Sequence, residues 1–149
     1  MEQHLGNARR HALCYNQQDR CGNTYKEGGN MASMERKNLN APDERRSFPK
    51  GKLELVTLGG ITFGRATLEP GWKWSESVKP IAKTASCQAP HTQYHISGRI
   101  RVRMDNGEEQ EFGPGDVSVL PPGHDAWVLG SDPVVVIDIT GMTQYAKPT

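Results

Sequence analysis

Cys87, His91 and His124 are the side chains of this sequence best suited to hold a metal ion. A thiolate with two imidazoles suits zinc, or ferrous iron if one coordination position stays open. Zinc would take a further partner, either water or Glu76. Against this stands a plainer reading. Cys87 is then a small buried apolar residue, His91 bonds a loop, and His124 lies on the surface.

Other residues near them could meet a ligand. His95 shares the parity of His91 along an extended chain, so both point the same way. Its imidazole either takes a buried hydrogen-bond partner or contacts the ligand. Gln93 lies between them on the same face and could orient a bound molecule. Read as extended chain, Trp72 and Trp74 share a face beside Glu76. They either plug an interior or a dimer interface, or wall a pocket for a planar or sugar-like ligand. Asp116 and Asp125 read as turn carboxylates that cap backbone N–H groups. A phosphate-cradling glycine loop, a nucleophile elbow and an H-E-x-x-H helix are all missing from the sequence.

The elements that position these residues read as β-strands from about Ser47 onward. KLELVTLGG and ITFGRATLEPG are two strands that end in glycine turns. In RIRVRMDNGEEQEF, Ile100, Val102 and Met104 face one way and Arg99, Arg101 and Arg103 the other. A two-residue turn at Asn106-Gly107 would mismatch the faces. A three-residue loop with Gly107 left-handed instead pairs Ile100 with Phe112, Arg101 with Glu111 and Arg103 with Glu109. VSVL, AWVLG and PVVVIDITG supply later strands, the last apolar enough to be buried on both faces. No segment keeps a helical period over three turns. Many short antiparallel strands mean an all-β sandwich or barrel of the jelly-roll kind.

Bulk properties narrow the partners. The 149 residues suffice for one domain with a core. The 18 basic and 17 acidic residues nearly cancel, which disfavours nucleic acid and anionic membranes as partners. No window approaches the roughly 18 apolar residues of a membrane span. The N-terminus lacks a secretory apolar run, so a cytoplasmic location is expected. Three cysteines without such a run argue against a disulfide framework, and Cys14 and Cys21 read as reduced thiols. Residues 1–33 lack apolar periodicity and read as a disordered tail ahead of a domain over residues 34–149. Met31 and Met34 offer alternative translation starts.

The stretch YHISGRIRVRMDNGEEQEFGPGDVSVLPPGHDAW resembles the cupin superfamily. Cupins carry a first motif, G-x5-H-x-H-x3,4-E-x6-G, and a second, G-x5-P-x-G-x2-H-x3-N. Gly98 matches the close of the first; Gly115, Pro121 and Gly123 match the second. The likeness spans roughly residues 50 to 142. It implies a jelly-roll barrel whose two His and Glu of the first motif, and His of the second, converge on iron, manganese, nickel or zinc. Counted from Gly98, the Glu place holds His91, the second His place Cys87 and the first Ala85; Ala126 takes the last His place. A second alignment starts from Gly71, puts Ser77 in the first His place, and makes Val78 to Ser86 an insertion. The resemblance implies a single-domain cupin that binds a small molecule in its barrel, with or without a divalent metal, and pairs as a homodimer. The alternative is a metal-dependent oxygenase or isomerase that uses Cys87, His91 and His124. A third reading is a purely structural barrel without a ligand-sized cavity.

Overall fold

The computed structural model describes residues 33–147. The expected tail lies outside them but for Ser33, as do Met31, Cys14 and Cys21. Among the described residues nine strands run in order: β1 (Glu44–Phe48), β2 (Gly51–Leu58), β3 (Ile61–Leu68), β4 (His91–Ser97), β5 (Arg99–Met104), β6 (Glu109–Phe112), β7 (Val117–Leu120), β8 (His124–Leu129) and β9 (Val134–Asp138). Two single-turn helices, α1 (Trp74–Ser77) and α2 (Lys79–Ala82), join β3 to β4, and a 3-10 turn over Gly141–Thr143 follows β9. None of these helices is long and apolar enough to cross a membrane.

All strand pairs are antiparallel. One sheet has the order β1-β2-β3-β9-β4-β7 and the other β6-β5-β8. Their inner faces share one core, with Leu53, Ala66, Val134 and Val136 from the larger sheet and Ile100, Val102, Ala126 and Val128 from the smaller. Period-2 alternation places these residues inside, since one-sided burial moves every second side chain out to solvent. The β5–β6 hairpin takes the three-residue loop expected of it. Ile100 opposes Phe112, Arg101 opposes Glu111, and Arg103 opposes Glu109, with Gly107 at φ +91°.

Two expectations are corrected. β9 is not buried on both faces. Val134, Val136 and Asp138 point in, while Val135 and Ile137 are half-buried and Ile139 is exposed. As a member of an antiparallel sheet with one open face, β9 needs apolar cover on one side only. The stretch from Trp74 onward is helical, not extended. Pro70-Gly71 turns the chain, and Asp125 Oδ1 on β8 accepts the Ser75 N–H at the start of α1 (3.1 Å). Lys83, at φ 55°, ends α2. Residues two apart on a helix are rotated by about 200°, so Trp74 is buried while Glu76 faces solvent.

Beyond β9 the chain is clamped by Arg46, a buried residue of β1. Its guanidinium donates to the carbonyls of Met142 (3.0 Å), Thr143 (3.0 Å) and Tyr145, and pairs with Glu44 (2.7 Å). Replacing Arg46 by Ala leaves three carbonyls without this donor. The variant is expected to lose about 2–4 kcal/mol in chemical denaturation and to be cut faster by proteases between Thr140 and Lys147. Unchanged cleavage there would show that the clamp does not hold this segment.

Candidate metal centre

Cys87, His91 and His124 come from three places and meet inside the barrel. His91 opens β4 and His124 opens β8. Cys87 forms an isolated bridge with His124: its N–H donates to the His124 carbonyl (2.8 Å), and the Gly123 N–H donates to the Cys87 carbonyl (2.7 Å). The Pro121-Pro122-Gly123 turn, with Gly123 at φ +92°, thus delivers His124 beside the cysteine. All three side chains are buried, and one ligand atom from each lies within 4.8 Å of the others.

The hydrogen bonds around them leave the right atoms free. His91 Nδ1 lies 2.7 Å from Asp138 Oδ2 and His124 Nδ1 lies 2.7 Å from the Pro121 carbonyl oxygen. A carbonyl only accepts, so His124 carries its proton on Nδ1, and Nε2 is available as a ligand. The Asp138 carboxylate holds the proton of His91 on Nδ1 in the same way. Cys87 Sγ lies 3.6 Å from His91 Nε2. A sulfur at 2.3 Å and a nitrogen at 2.1 Å from one tetrahedral ion stand about 3.6 Å apart, so this pair has the separation zinc requires.

Asp138 is fully buried at the end of β9, and every side of it is satisfied. Oδ2 also accepts from Gln93 Nε2 (3.0 Å), and Oδ1 accepts the backbone N–H groups of Thr140 (2.8 Å) and Gly141 (3.2 Å). Residue 141 must be glycine here, because a Cβ would sit 2.0 Å from the Pro90 carbonyl oxygen and 3.1 Å from His91 Nδ1.

Titration behaviour follows from these contacts. Burial pushes the Cys87 thiol up, but the His124 and His91 imidazoles beside the sulfur outweigh it and hold it at about 6. Burial likewise disfavours charge on His91; the Asp138 bond and the Cys87 sulfur overcome it and raise the imidazole to about 9. Desolvation works against the Asp138 carboxylate too, yet the His91 hydrogen bond and charge keep it below the usual carboxylate range. The resting chain therefore holds a thiolate, an imidazolium and a carboxylate in line, and a metal ion would take the place of the His91 Nε2 proton.

Beside the cluster lies an interior cavity of about 40 Å³ whose walls include His91, His124, Gln93, Trp72, Trp74 and Ala126. Cys87 faces an outer groove of about 480 Å³, and Trp74 and Tyr145 wall both spaces. The Tyr145 ring meets His91 edge-on at 5.5 Å between centroids. Of the residues expected at a pocket, Gln93, Trp72 and Trp74 line the cavity. Glu76 lies instead in a surface hollow with Arg103 and Trp127, for the helical reason given above. His95 is absent from the cavity wall: it is buried, bonded to Ser118 Oγ (2.9 Å) and stacked on Phe112 (5.4 Å). Asp116 and Asp125 do cap backbone N–H groups, at Gly113 (2.7 Å) and at Ser75 and Ala126. Ala126 lines the cavity as a bare methyl. The imidazole on β8 comes from His124, two residues earlier and so on the same strand face. Asp138 and Tyr145 were not anticipated from sequence. An acidic residue on the inward parity of the apolar β9 run was the available signal for Asp138.

No family profile and no curated protein matches the chain. Its likenesses are to solved structures. A Rhizobium leguminosarum protein of unknown function shares 19% identity over 74% of this chain and 98% of its own, with a TM-score of 0.51. A sugar phosphate isomerase from a cupin superfamily, from Silicibacter pomeroyi, shares 19% identity over 73% of this chain and 76% of its own, at TM-score 0.52. Lactobacillus farciminis oxalate decarboxylase, solved as a formate complex, shares 18% identity at TM-score 0.50; this chain covers 68% of itself but only 32% of that protein. Identities this low speak to architecture and not to activity. On that evidence the nine described strands have the cupin fold, the all-β jelly roll that the glycine and proline spacing anticipates.

Proposed function

We propose that this cupin barrel binds a divalent metal, zinc or ferrous iron, through Cys87, His91 and His124, and a small molecule at the coordination position left open. The observation that carries this is the paired commitment of both Nδ1 atoms, which leaves two Nε2 atoms and a thiolate converging in a buried site. Three protein ligands and a vacant position favour a metal-dependent enzyme over a passive binding module. Bound there, the metal would supply Lewis acidity, polarising a substrate oxygen or acidifying a water. Asp138 fixes the His91 ring and its charge, and Gln93 holds Asp138 while facing the cavity. Trp72, Trp74 and Tyr145 exclude water. A thiolate as ligand suits a reducing, cytoplasmic setting.

Metal analysis after purification without chelator tests this reading. One equivalent of metal is expected in the wild type, with little in Cys87→Ala, His91→Ala or His124→Ala. Asp138→Asn should weaken zinc about 10–100-fold without abolishing it. Cobalt substitution should give a thiolate charge-transfer band that Cys87→Ala lacks. Full stoichiometry in the three alanine variants would place the metal elsewhere.

Proton release gives an independent check. Between the Cys87 value of about 6 and the His91 value of about 9, the sulfur is already thiolate and His91 still carries its extra proton. Zinc binding at pH 7.5 should therefore release about one proton. Release should fall as the pH rises through the His91 value and grow as it drops below the Cys87 value. Calorimetry in buffers of different ionisation enthalpy measures it; pH-independent release would contradict the thiolate–imidazolium arrangement.

We further propose a homodimer through the outer face of β4 and β7. Tyr94 opposes Val117 across the two strands, and Val117 and Val119 are 72% and 73% exposed on an edge strand. A second copy would cover both the apolar side chains and the open backbone edge. Light scattering should report a dimer for the wild type and a monomer for Val119→Asp. A wild-type monomer at micromolar concentration would end this proposal.

A further inference from the structure

The indole N–H groups of Trp72 and Trp74 are the buried side-chain polar atoms that find no hydrogen-bond partner among the described residues. Both residues are at least nine-tenths buried, and both line the interior cavity. An unmet buried donor is costly and points to an acceptor that belongs there. An indole N–H can only donate, so the missing partner must accept. Most of the wall is apolar, with Leu68, Ile100, Val102 and Val136, and it carries no Asp or Glu that would repel an anion. His91 and His124 stand on the same wall.

Size limits the occupant. About 40 Å³ has room for roughly three waters, or for a group of about three or four non-hydrogen atoms. A carboxylate with its α-carbon is such a group; a sugar ring or a phosphate ester is not. Anything longer must pass Trp74 and Tyr145 into the outer groove that they also wall.

We propose that the cavity holds the carboxylate of a small organic acid, whose oxygens accept from the Trp72 and Trp74 indoles beside the Cys87–His91–His124 cluster. This rests on the metal-centre reading and specifies its ligand class. The acid's remaining atoms lie toward Tyr145 and the groove.

The test uses the full chain, zinc-loaded, with 15N-labelled tryptophan, titrated with acetate and, as control, methylammonium. Acetate should move the Trp72 and Trp74 indole N–H resonances saturably and leave that of Trp127, which lies in a surface hollow, in place. Methylammonium should move none. Trp72→Phe and Trp74→Phe keep a ring and remove the donor, and each should weaken acetate about tenfold, with the Trp127 resonance reporting that the variant is folded. Absence of a saturable wild-type shift overturns the proposal, as do folded Phe variants that bind like the wild type. Zinc content is measured in the same samples. A chain that holds zinc but ignores acetate refutes the acid and leaves the metal centre standing. If the chain holds no zinc, the metal centre fails; saturable acetate shifts would still support the acid site and their absence would refute it.

Discussion

A carboxylate with no exposure to water, Asp138, pressed against one nitrogen of His91, sets the conditions for the whole interior. A buried charge persists only when it is paired and its lone pairs are met. Asp138 has the imidazole on one oxygen and two backbone N–H groups of the following turn on the other, with Gln93 alongside. That arrangement requires β9 between β3 and β4, so that one residue at its end reaches the first residue of β4. It also requires the tight passage at Gly141. The sheet order and the ionisation of the cluster are therefore two aspects of one constraint.

The second consequence is geometric. His124 stands two residues before Ala126, the place the cupin pattern reserves for its last histidine. Side chains two apart share a strand face, so the imidazole still points inward. It is shifted along the strand by about 7 Å, toward the Pro-Pro-Gly turn. The cluster consequently sits at one end of the cavity, where Cys87 meets the outer groove, and the deeper position is left as a methyl-lined space. The cysteine–histidine cluster and the methyl-lined space are thus separated along the barrel.

Much of this was legible in the residues. Alternation gave the strands and inward parity, and the faces of Arg101 and Glu111 chose the hairpin loop. The candidate ligands Cys87, His91 and His124 were visible by type and spacing, since strand parity does not depend on tertiary detail. What failed depended on local turns or distant contacts. Glu76 was misplaced because four residues form a helical turn too short to show a period. Of the two readings of His95, the buried imidazole with a hydrogen-bond partner holds, through Ser118; the ligand contact does not, because His95 lies farther along β4 and stacks on Phe112. Asp138 becomes a partner of His91 only once β9 inserts beside β4, a pairing across 47 residues. Tyr145 lies beyond the last strand, where no periodic pattern marks it.

The clamp made by Arg46 ties this last segment to the opposite edge of the larger sheet. Trimming the chain just after Asp138 would spare all nine strands yet strip Met142 and Tyr145 from around the cavity. The same cut would take the Thr140 and Gly141 N–H groups from the buried Asp138 carboxylate, and the Met142 side chain from the core. The segment after β9 therefore holds together the wall of the interior and the charge inside it, and a change there acts on both.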